Sequence, residues 1–317
     1  MNVTEILFTG DAFRTVSGEA AQAANVQWLE RMIGGLLRTL TDLPSNIAYP
    51  LVTNDVPSFV RLQSGELGLE NWARIFWQSA TPPLVTAVKE RCRNSLIISI
   101  EMPPVLQDAL DRADVPWIDI GVCPLRFLPD WALHCKASRH FDLFSASDSL
   151  LQSSEIRMAV HHVANWYGSA AISEPSVVFF AQTAKDRTLI NRGVFSGPHD
   201  ALCNVLPLLS GRSLLIKPHP WQPDCPVVSA LVGAGGQVTD LETYALLANP
   251  FVEVVTLSSS VGREARAFGR QAKIISSSVQ DWAYSGVDVM RYARSPKFWG
   301  PLLASGGLSV APVIEPE

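Results

Sequence analysis

A cation and an imidazole stand close together in the segment Lys217-Pro218-His219-Pro220. The apolar run just before it, 213–216, predicts a strand of a buried parallel sheet. Because proline fixes φ, the two prolines hold both side chains on a stiff loop at the carboxyl end of that strand, where open α/β sheets bind ligands. The residue types predict a phosphate site. The alternative is an ordinary turn with a surface lysine and a hydrogen-bonded histidine.

A second set of anion-binding groups is the serine run Ser258-Ser259-Ser260. It ends the predicted strand 252–257 and opens the predicted helix 261–268, and hydroxyls with free N–H groups at a helix start bind anions without a net positive charge. Glu264 follows one turn later and could accept a hydrogen bond from a ribose. The alternative is that Ser260 is only an N-cap and Glu264 a solvated carboxylate. Two such strand ends in one half of the chain favour a shared crevice for a nucleotide phosphate.

Two carboxylates at predicted strand ends could supply reaction chemistry. Asp186 follows the strand 176–181, with Gln182 four residues before it. A carboxylate there can attack an anomeric carbon or stabilise positive charge on it; the alternatives are a helix cap or a pair with Arg187. Glu101 ends the strand 95–100 in the other half of the chain and can act as a general base for a hydroxyl.

Arg126 is the candidate for binding a substrate carboxylate. It lies in the unusual stretch 119–130, between Pro124 and Pro129, and its guanidinium fork fits a carboxylate with two hydrogen bonds. The alternative is a structural ion pair with Asp119 or Asp130.

Two α/β halves must position these residues. Apolar runs and helical periodicity predict strands at 5–9, 46–52, 95–100, 116–122 and 141–145, with helices at 20–40, 70–92 (split at 81–83) and 148–167. The second half is predicted to have strands at 176–181, 213–216, near 237, 252–257 and 272–275, with helices at 199–209, 242–247, 261–268 and 288–303 (broken at Pro296) and a tail at 305–317. This alternation predicts doubly wound parallel sheets. The proline-ended segment 168–175 predicts domains 1–168 and 169–290, followed by a helix and tail at 291–317.

Composition narrows the class of protein. A chain of 317 residues, 47% apolar and 17% charged, is long enough for two folded domains. A net charge of −5 without a basic stripe argues against extended nucleic-acid binding, so an anionic ligand must be held locally. No basic leader or long apolar run is present, which predicts a cytoplasmic protein. Five cysteines without CxxC spacing indicate neither a disulfide framework nor a cysteine zinc site.

Five elements of the sequence together resemble the bacterial retaining β-Kdo glycosyltransferases of capsule and O-antigen assembly. They are Ile100-Glu101, the 119–130 stretch with its Pro-x-Arg-Phe core, Gln182-x-x-x-Asp186, Lys217-Pro218-His219-Pro220 and the serine run. The Gln-x-x-x-Asp and Lys-Pro-His-Pro elements are the most specific. The serine run is shared with bacterial sialyltransferases that use CMP-sugars. The resemblance spans residues 95–270. It implies a GT-B-like fold, with two Rossmann-type domains whose parallel sheets face a central cleft.

The same resemblance implies a CMP-β-Kdo donor and a product with retained anomeric configuration. Asp186 would be the nucleophile that forms a Kdo–enzyme adduct, and Glu101 the acid/base acting on the acceptor hydroxyl. The implied donor-binding residues are Lys217 and His219 on the cytidylate phosphate, Ser258, Ser259 and Ser260 completing that site, Glu264 on the ribose, and Gln182 and Arg126 near the sugar. No metal or other cofactor is expected, since lysine, histidine and a helix start supply positive potential.

The expected partners are the CMP-sugar donor and an oligosaccharide or lipid-linked glycan acceptor, without nucleic acid. Peripheral association with the inner membrane or an assembly complex is left open. Two alternative functions remain at this point. One is an inverting, sialyltransferase-like CMP-sugar transferase in which Asp186 is not attacked. The other is a noncatalytic nucleotide-binding subunit of a polysaccharide assembly complex.

Overall fold

A computed structural model describes residues 2–16, 19–128, 132–290 and 294–312, except for the side chains of residues 19 and 20. The chain forms two compact units. Unit 1 comprises Met1–Cys123, Asp130–Leu151 and Gly286–Glu317, and unit 2 comprises Pro124–Pro129 and Gln152–Ser285.

Residues up to 151 alternate between strands and helices. They form β1 (Glu5–Gly10), β2 (Thr15–Val16), β3 (Glu19–Ala20), α1 (Ala23–Leu29), a π-helical segment (Glu30–Gly34), α2 (Gly35–Thr41), β4 (Ser45–Ile47), α3 (Val56–Gln63), α4 (Leu69–Ile75), α5 (Pro82–Cys92), β5 (Ser95–Ile100), α6 (Pro104–Arg112), β6 (Trp117–Val122), β7 (Leu133–Ala137) and a 3₁₀ segment (Leu143–Ser149).

The rest of the chain continues this alternation. It forms α7 (Ser153–Tyr167), β8 (Ser176–Phe180), a 3₁₀ turn (Arg187–Leu189), β9 (Ile190–Asn191), β10 (Val194–Phe195), α8 (Pro198–Leu209), β11 (Ser213–Lys217), α9 (Pro226–Gly233), β12 (Gln237–Val238), α10 (Thr243–Ala248), β13 (Val252–Thr256), α11 (Val261–Ala267), β14 (Ala272–Ile274), α12 (Ser277–Ala283), β15 (Val287–Val289) and α13 (Pro296–Ser305).

Unit 1 is built on a sheet with the strand order β15-β7-β6-β5-β1-β4. Strands β4, β1, β5 and β6 are parallel, while β7 is antiparallel to β6 and β15 is antiparallel to β7. Every residue of β5 is buried, as a largely apolar run covered on both faces must be. Gly286 lets the chain approach β7 closely, because a Cβ there would lie 1.9 Å from the carbonyl oxygen of Cys135.

Unit 2 is built on a parallel sheet with the order β12-β11-β8-β13-β14. Its register places Phe180 of β8 beside Lys217 of β11 and Thr256 of β13. These three neighbouring strands therefore end at one level. The loops that follow them leave the same edge of the sheet.

The predicted α/β class, with mostly parallel sheets, is confirmed. The predicted strand at 141–145 is wrong: Leu143–Ser149 is a 3₁₀ segment whose N-cap is Asp142, and the Asp142 side chain accepts the Phe144 N–H. Strand β7 was not predicted, because buried His134 and Lys136 interrupt its apolar pattern. The predicted helix 288–303 is wrong at its start, since Asp288 and Val289 belong to β15 and α13 begins at Pro296. Residues 291–293 of that prediction lie outside the described residues.

The observed division of the chain differs from the predicted boundary at 168/169. Helix α7 belongs to unit 2, and the C-terminal part returns to unit 1 through β15 and α13. Trp299 of α13 is fully buried in the core of unit 1 together with residues of β1 and β5. Local linker composition does not show which core an apolar face will join, so this return could not be predicted.

In the part of the chain that the structure describes, every helix is too short or too polar to cross a bilayer. The five cysteines form no disulfide bond with one another, and all of them except Cys203 are buried.

Candidate active site

Three loops at one edge of the unit 2 sheet carry most of the predicted site residues. We call them the β8 loop (182–186), the β11 loop (218–222) and the β13 loop (257–260). Because Phe180, Lys217 and Thr256 are in register, Gln182, His219 and Ser258 each lie two residues beyond the same level of the sheet. The sequence motifs are thus brought to one edge.

Asp186 is half-buried at the end of the β8 loop and is the N-cap of the 3₁₀ turn. Its Oδ1 accepts two hydrogen bonds from Thr188, from the backbone N–H at 2.8 Å and from the hydroxyl at 2.8 Å. The helix-cap alternative is therefore correct as local structure. The cap uses only Oδ1, and Oδ2 has no hydrogen-bond partner within the described ranges. Asp186 can therefore cap the turn and also take part in a reaction.

Gln182 connects the β8 loop to the β13 loop. Its Oε1 accepts the Ser258 N–H at 2.8 Å, and its Nε2 lies 3.2 Å from the Thr188 hydroxyl and 3.3 Å from the Ser258 hydroxyl. Ser258 is 1% exposed. Gln182 was predicted to lie near the sugar, and this stays a prediction; the contacts observed are structural, and they fix the two loops relative to each other.

The β11 loop presents His219 with a defined tautomer. The Trp221 N–H donates to His219 Nδ1 at 3.2 Å, so in the neutral ring the proton is on Nε2. The loop is closed by the Gln222 N–H on the His219 carbonyl, and Gln222 Oε1 accepts the Ala184 N–H at 2.8 Å. The β11 loop is thereby bonded to the β8 loop, with an N–H donor on the half-buried imidazole.

Lys217 is placed differently from His219. Its Nζ donates to the carbonyl oxygen of Asp240, at 3.1 Å. Asp240 follows β12, and β12 lies on the side of β11 that is remote from β8. The ammonium group would have to release this bond to join a phosphate beside His219.

The serine run divides into a buried and an accessible part. The Ser258 N–H and hydroxyl are both engaged with Gln182 and Thr188. Ser259 donates its N–H to Thr256 Oγ1 and accepts the Val261 N–H on its hydroxyl. The Ser260 side chain does not cap α11, which contradicts the reading of Ser260 as a side-chain N-cap. Of the three hydroxyls, that of Ser260 is the one best placed to meet a ligand.

Glu264 has a structural role that the sequence did not indicate. It is 1% exposed, and its Oε1 accepts the Arg126 backbone N–H at 2.7 Å and the Tyr244 hydroxyl at 3.3 Å. Burial raises its pKa to about 7, although these hydrogen bonds oppose the shift. Its predicted contact with a ribose stays a prediction, but this carboxylate already binds the backbone of Arg126 and the side chain of Tyr244.

The Arg126 side chain is exposed. Of its two alternative partners, Asp130 lies outside the described residues. Asp119 accepts the Ser99 hydroxyl at 2.6 Å and the Met102 N–H at 2.8 Å, and it pairs with Lys136 at 3.7 Å. Its carboxylate is thus used within unit 1.

Glu101 ends β5 of unit 1 in an uncommon backbone conformation. Its φ is +53°, in the left-handed region, which costs a residue other than glycine about 1–2 kcal/mol. The Asp119 carboxylate fixes the next residue through the Met102 N–H, and Gln22 Nε2 donates to Glu101 Oε2 at 3.3 Å. The protein thus holds this residue in a strained backbone conformation. Such strain is common at functional sites.

Gln22 in turn links Glu101 to a buried carboxylate at the end of β1. Gln22 Oε1 accepts the Asp11 N–H at 3.0 Å, and Asp11 Oδ2 accepts the Trp72 indole N–H at 2.7 Å. Asp11 is 1% exposed, and burial raises its pKa to about 6. The sequence reading missed Asp11 and Gln22.

Two missed residues of unit 2 stabilise the loops. Thr188 is signalled in the sequence by the Asp-x-Thr pattern of a capped turn. Gln280 carries no such signal: its Nε2 donates to the Ser259 carbonyl at 2.7 Å and lies 3.2 Å from the Ser258 carbonyl, from a helix far along the chain. Within the described ranges, no three His, Cys, Asp or Glu side chains converge as metal ligands.

Comparisons with known proteins add distant likenesses only. No protein-family model matches the chain, and no curated protein matches it. Among solved structures it is similar to Thermosulfurimonas dismutans KpsC, a beta Kdo 2,7 transferase, with 12% identity and a TM-score of 0.45 over 86% of this chain and 78% of that one. It is also similar to a dipicolinate synthase chain from Bacillus halodurans, with 10% identity and a TM-score of 0.22 over 89% and 96%. Matches of this strength assign neither an activity nor a ligand.

Burial of Glu264 predicts a specific pH dependence of stability. Because its folded-state pKa of about 7 lies above the usual value of 4.5, the folded state binds more protons, and this contribution to stability is lost as pH rises through 7. In urea unfolding, we compare the free energy of unfolding of the parent with that of Glu264→Gln. The parent value minus the variant value should fall by about 3 kcal/mol between pH 4.5 and 7.5. Glu174→Gln, which changes an exposed carboxylate of the same unit, is the control. Equal pH slopes for the parent and Glu264→Gln would contradict this prediction.

Proposed function

We propose that this protein is a retaining glycosyltransferase that moves Kdo from CMP-β-Kdo to a glycan acceptor. The observation that carries the proposal is the convergence of the β8, β11 and β13 loops at one edge of a parallel sheet. That edge combines an anchored carboxylate, an imidazole with its proton on Nε2, and the accessible Ser260 hydroxyl. The imidazole and the hydroxyl can bind the phosphate of a cytidylate leaving group, and the carboxylate can attack an anomeric carbon.

In the first step, an oxygen of Asp186 bonds to the anomeric carbon as the bond from that carbon to the phosphate oxygen breaks. Cytidylate leaves with the electron pair, and His219 and Ser260 stabilise its negative charge. In the second step, the acceptor oxygen displaces Asp186 while its proton passes to Glu101. Two inversions retain the configuration, and the Asp186 carboxylate is regenerated.

The other donor-binding residues have supporting parts in this proposal. Gln182 and Ser258 fix the loops, Ser259 shapes the β13 loop, and Lys217 joins the phosphate if it leaves the Asp240 carbonyl. Arg126, whose side chain is exposed, remains the candidate for the sugar carboxylate. Positive potential from these groups serves the leaving phosphate without a metal ion, and the acceptor is an oligosaccharide or a lipid-linked glycan.

Removal of the nucleophile tests the first step. Asp186→Ala should lower Kdo transfer by at least about 1,000-fold, as loss of a covalent nucleophile does, and should abolish the mass increase of the intact protein after incubation with CMP-Kdo alone. Glu174→Gln changes an exposed carboxylate at the opposite end of β8 and should behave as the parent. An Asp186→Ala protein that transfers Kdo at the parental rate excludes the covalent mechanism.

Removal of the base tests the second step separately. Glu101→Gln should lower transfer by about 100- to 10,000-fold, while the adduct still forms and persists, because cytidylate leaves without a proton from Glu101. Intact-mass analysis over time in the presence of acceptor measures this accumulation. A Glu101→Gln protein that forms no adduct although the parent does would remove Glu101 from the proposed role.

The parent protein also distinguishes the alternative functions. If it transfers Kdo with inverted configuration, the inverting alternative is favoured. If it binds cytidylate and transfers no Kdo, the noncatalytic alternative is favoured.

A further inference from the structure

The hydrogen bonds around Thr188 have only one consistent direction. An ionised carboxylate accepts hydrogen bonds and cannot donate them, so the Thr188 hydroxyl must give its proton to Asp186 Oδ1, 2.8 Å away. Thr188 Oγ1 is then the acceptor for the Ser258 hydroxyl at 3.0 Å and for Gln182 Nε2 at 3.2 Å. The result is a directed chain of donors that ends on the carboxylate of Asp186.

Two members of this chain are buried from solvent, and the third, Gln182, is half-buried. Thr188 is 7% exposed and Ser258 is 1% exposed. Hydrogen bonds at such sites are not exchanged for water at little cost, because a buried donor without an acceptor is destabilising. The Ser258 hydroxyl can donate to Thr188 Oγ1 at 3.0 Å or to Gln182 Oε1 at 3.3 Å. In both cases the Thr188 hydroxyl donates to Asp186, which is only half-buried.

Another aspartate cap of this protein shows what capping alone looks like. At the start of α3, Asp55 accepts the Ser58 N–H on Oδ1 and the Ser58 hydroxyl on Oδ2, each at 2.8 Å. Both oxygens are engaged, and Ser58 donates to no further buried network among the described residues. At Asp186, in contrast, both donors of Thr188 meet on Oδ1. The Asp55 cap also binds the hydroxyl of its partner, so that bond alone does not distinguish Asp186. What Asp186 has in addition is this convergence on one oxygen, together with the Ser258 and Gln182 donors that fix the Thr188 hydroxyl.

We propose that Thr188 is a positioning residue for the Asp186 carboxylate, with Ser258 and Gln182 fixing the Thr188 hydroxyl. Two donors on Oδ1 restrict rotation of the carboxylate and keep Oδ2 as the attacking oxygen. They also stabilise negative charge on the carboxylate when it is displaced in the second step. This proposal rests on the proposed function of Asp186.

The test compares Thr188→Val, which removes the hydroxyl at nearly constant volume, with Thr188→Ser, which keeps it. In Thr188→Val, kcat for transfer and the rate of adduct formation should fall about 10- to 100-fold, the cost of a misplaced reacting group, with the donor KM changed less than about twofold. Thr188→Ser should restore most of kcat. Crystal structures should show Asp186 in a new or split conformer only in Thr188→Val.

Ser258→Ala provides a second variant in case Thr188→Val does not fold, and it should show a smaller kcat loss of the same kind. Parental kcat in the folded hydroxyl-deleted variants, or an unchanged Asp186 conformer in their crystal structures, would overturn the positioning role. If the parent forms no adduct and transfers no Kdo, the proposed function fails. The crystallographic comparison still decides whether Thr188 fixes Asp186.

Discussion

The hydrogen bonds between the Gln182 side chain and Ser258 tie the ends of β8 and β13 together, and the candidate site depends on this tie. Ser258 is nearly inaccessible, so its N–H cannot exchange Gln182 for water. Loss of either partner leaves a buried donor or acceptor unpaired, at a cost of about 1–3 kcal/mol. Asp186, at the end of the β8 loop, and Ser260, at the end of the β13 loop, are placed through this contact.

The polar groups at this sheet edge fall into two kinds. Gln182, Thr188 and Ser258 bind one another and form a fixed base. In contrast, His219 uses Nδ1 for the Trp221 N–H, and among the described residues the Ser260 side chain does not cap α11. Donors that are already oriented need no reorganisation when charge develops on a leaving group. In the proposed function, these local donors hold the phosphate although the chain has a net charge of −5.

The sequence was most informative where a structural feature is local. Short apolar runs bounded by turn residues located the strands that end at Ile100, Phe180 and Lys217, and the change of residue type after each located the candidate site. Contacts between distant segments could not be predicted in this way. Helical spacing does not show that Glu264 will accept the backbone N–H of Arg126, and nothing near Gln280 indicates its bonds to the β13 loop. Buried polar partners also concealed β7, since His134 is paired with Asp288.

The central claim is that the edge formed by the β8, β11 and β13 loops binds the phosphate of a cytidine nucleotide. A crystal structure of the protein soaked in cytidine monophosphate tests it most directly. We expect a phosphate oxygen about 2.7–3.2 Å from His219 Nε2, with the Ser260 hydroxyl on the same group. Cytidylate bound at another place, with His219 contacting only solvent, would contradict it.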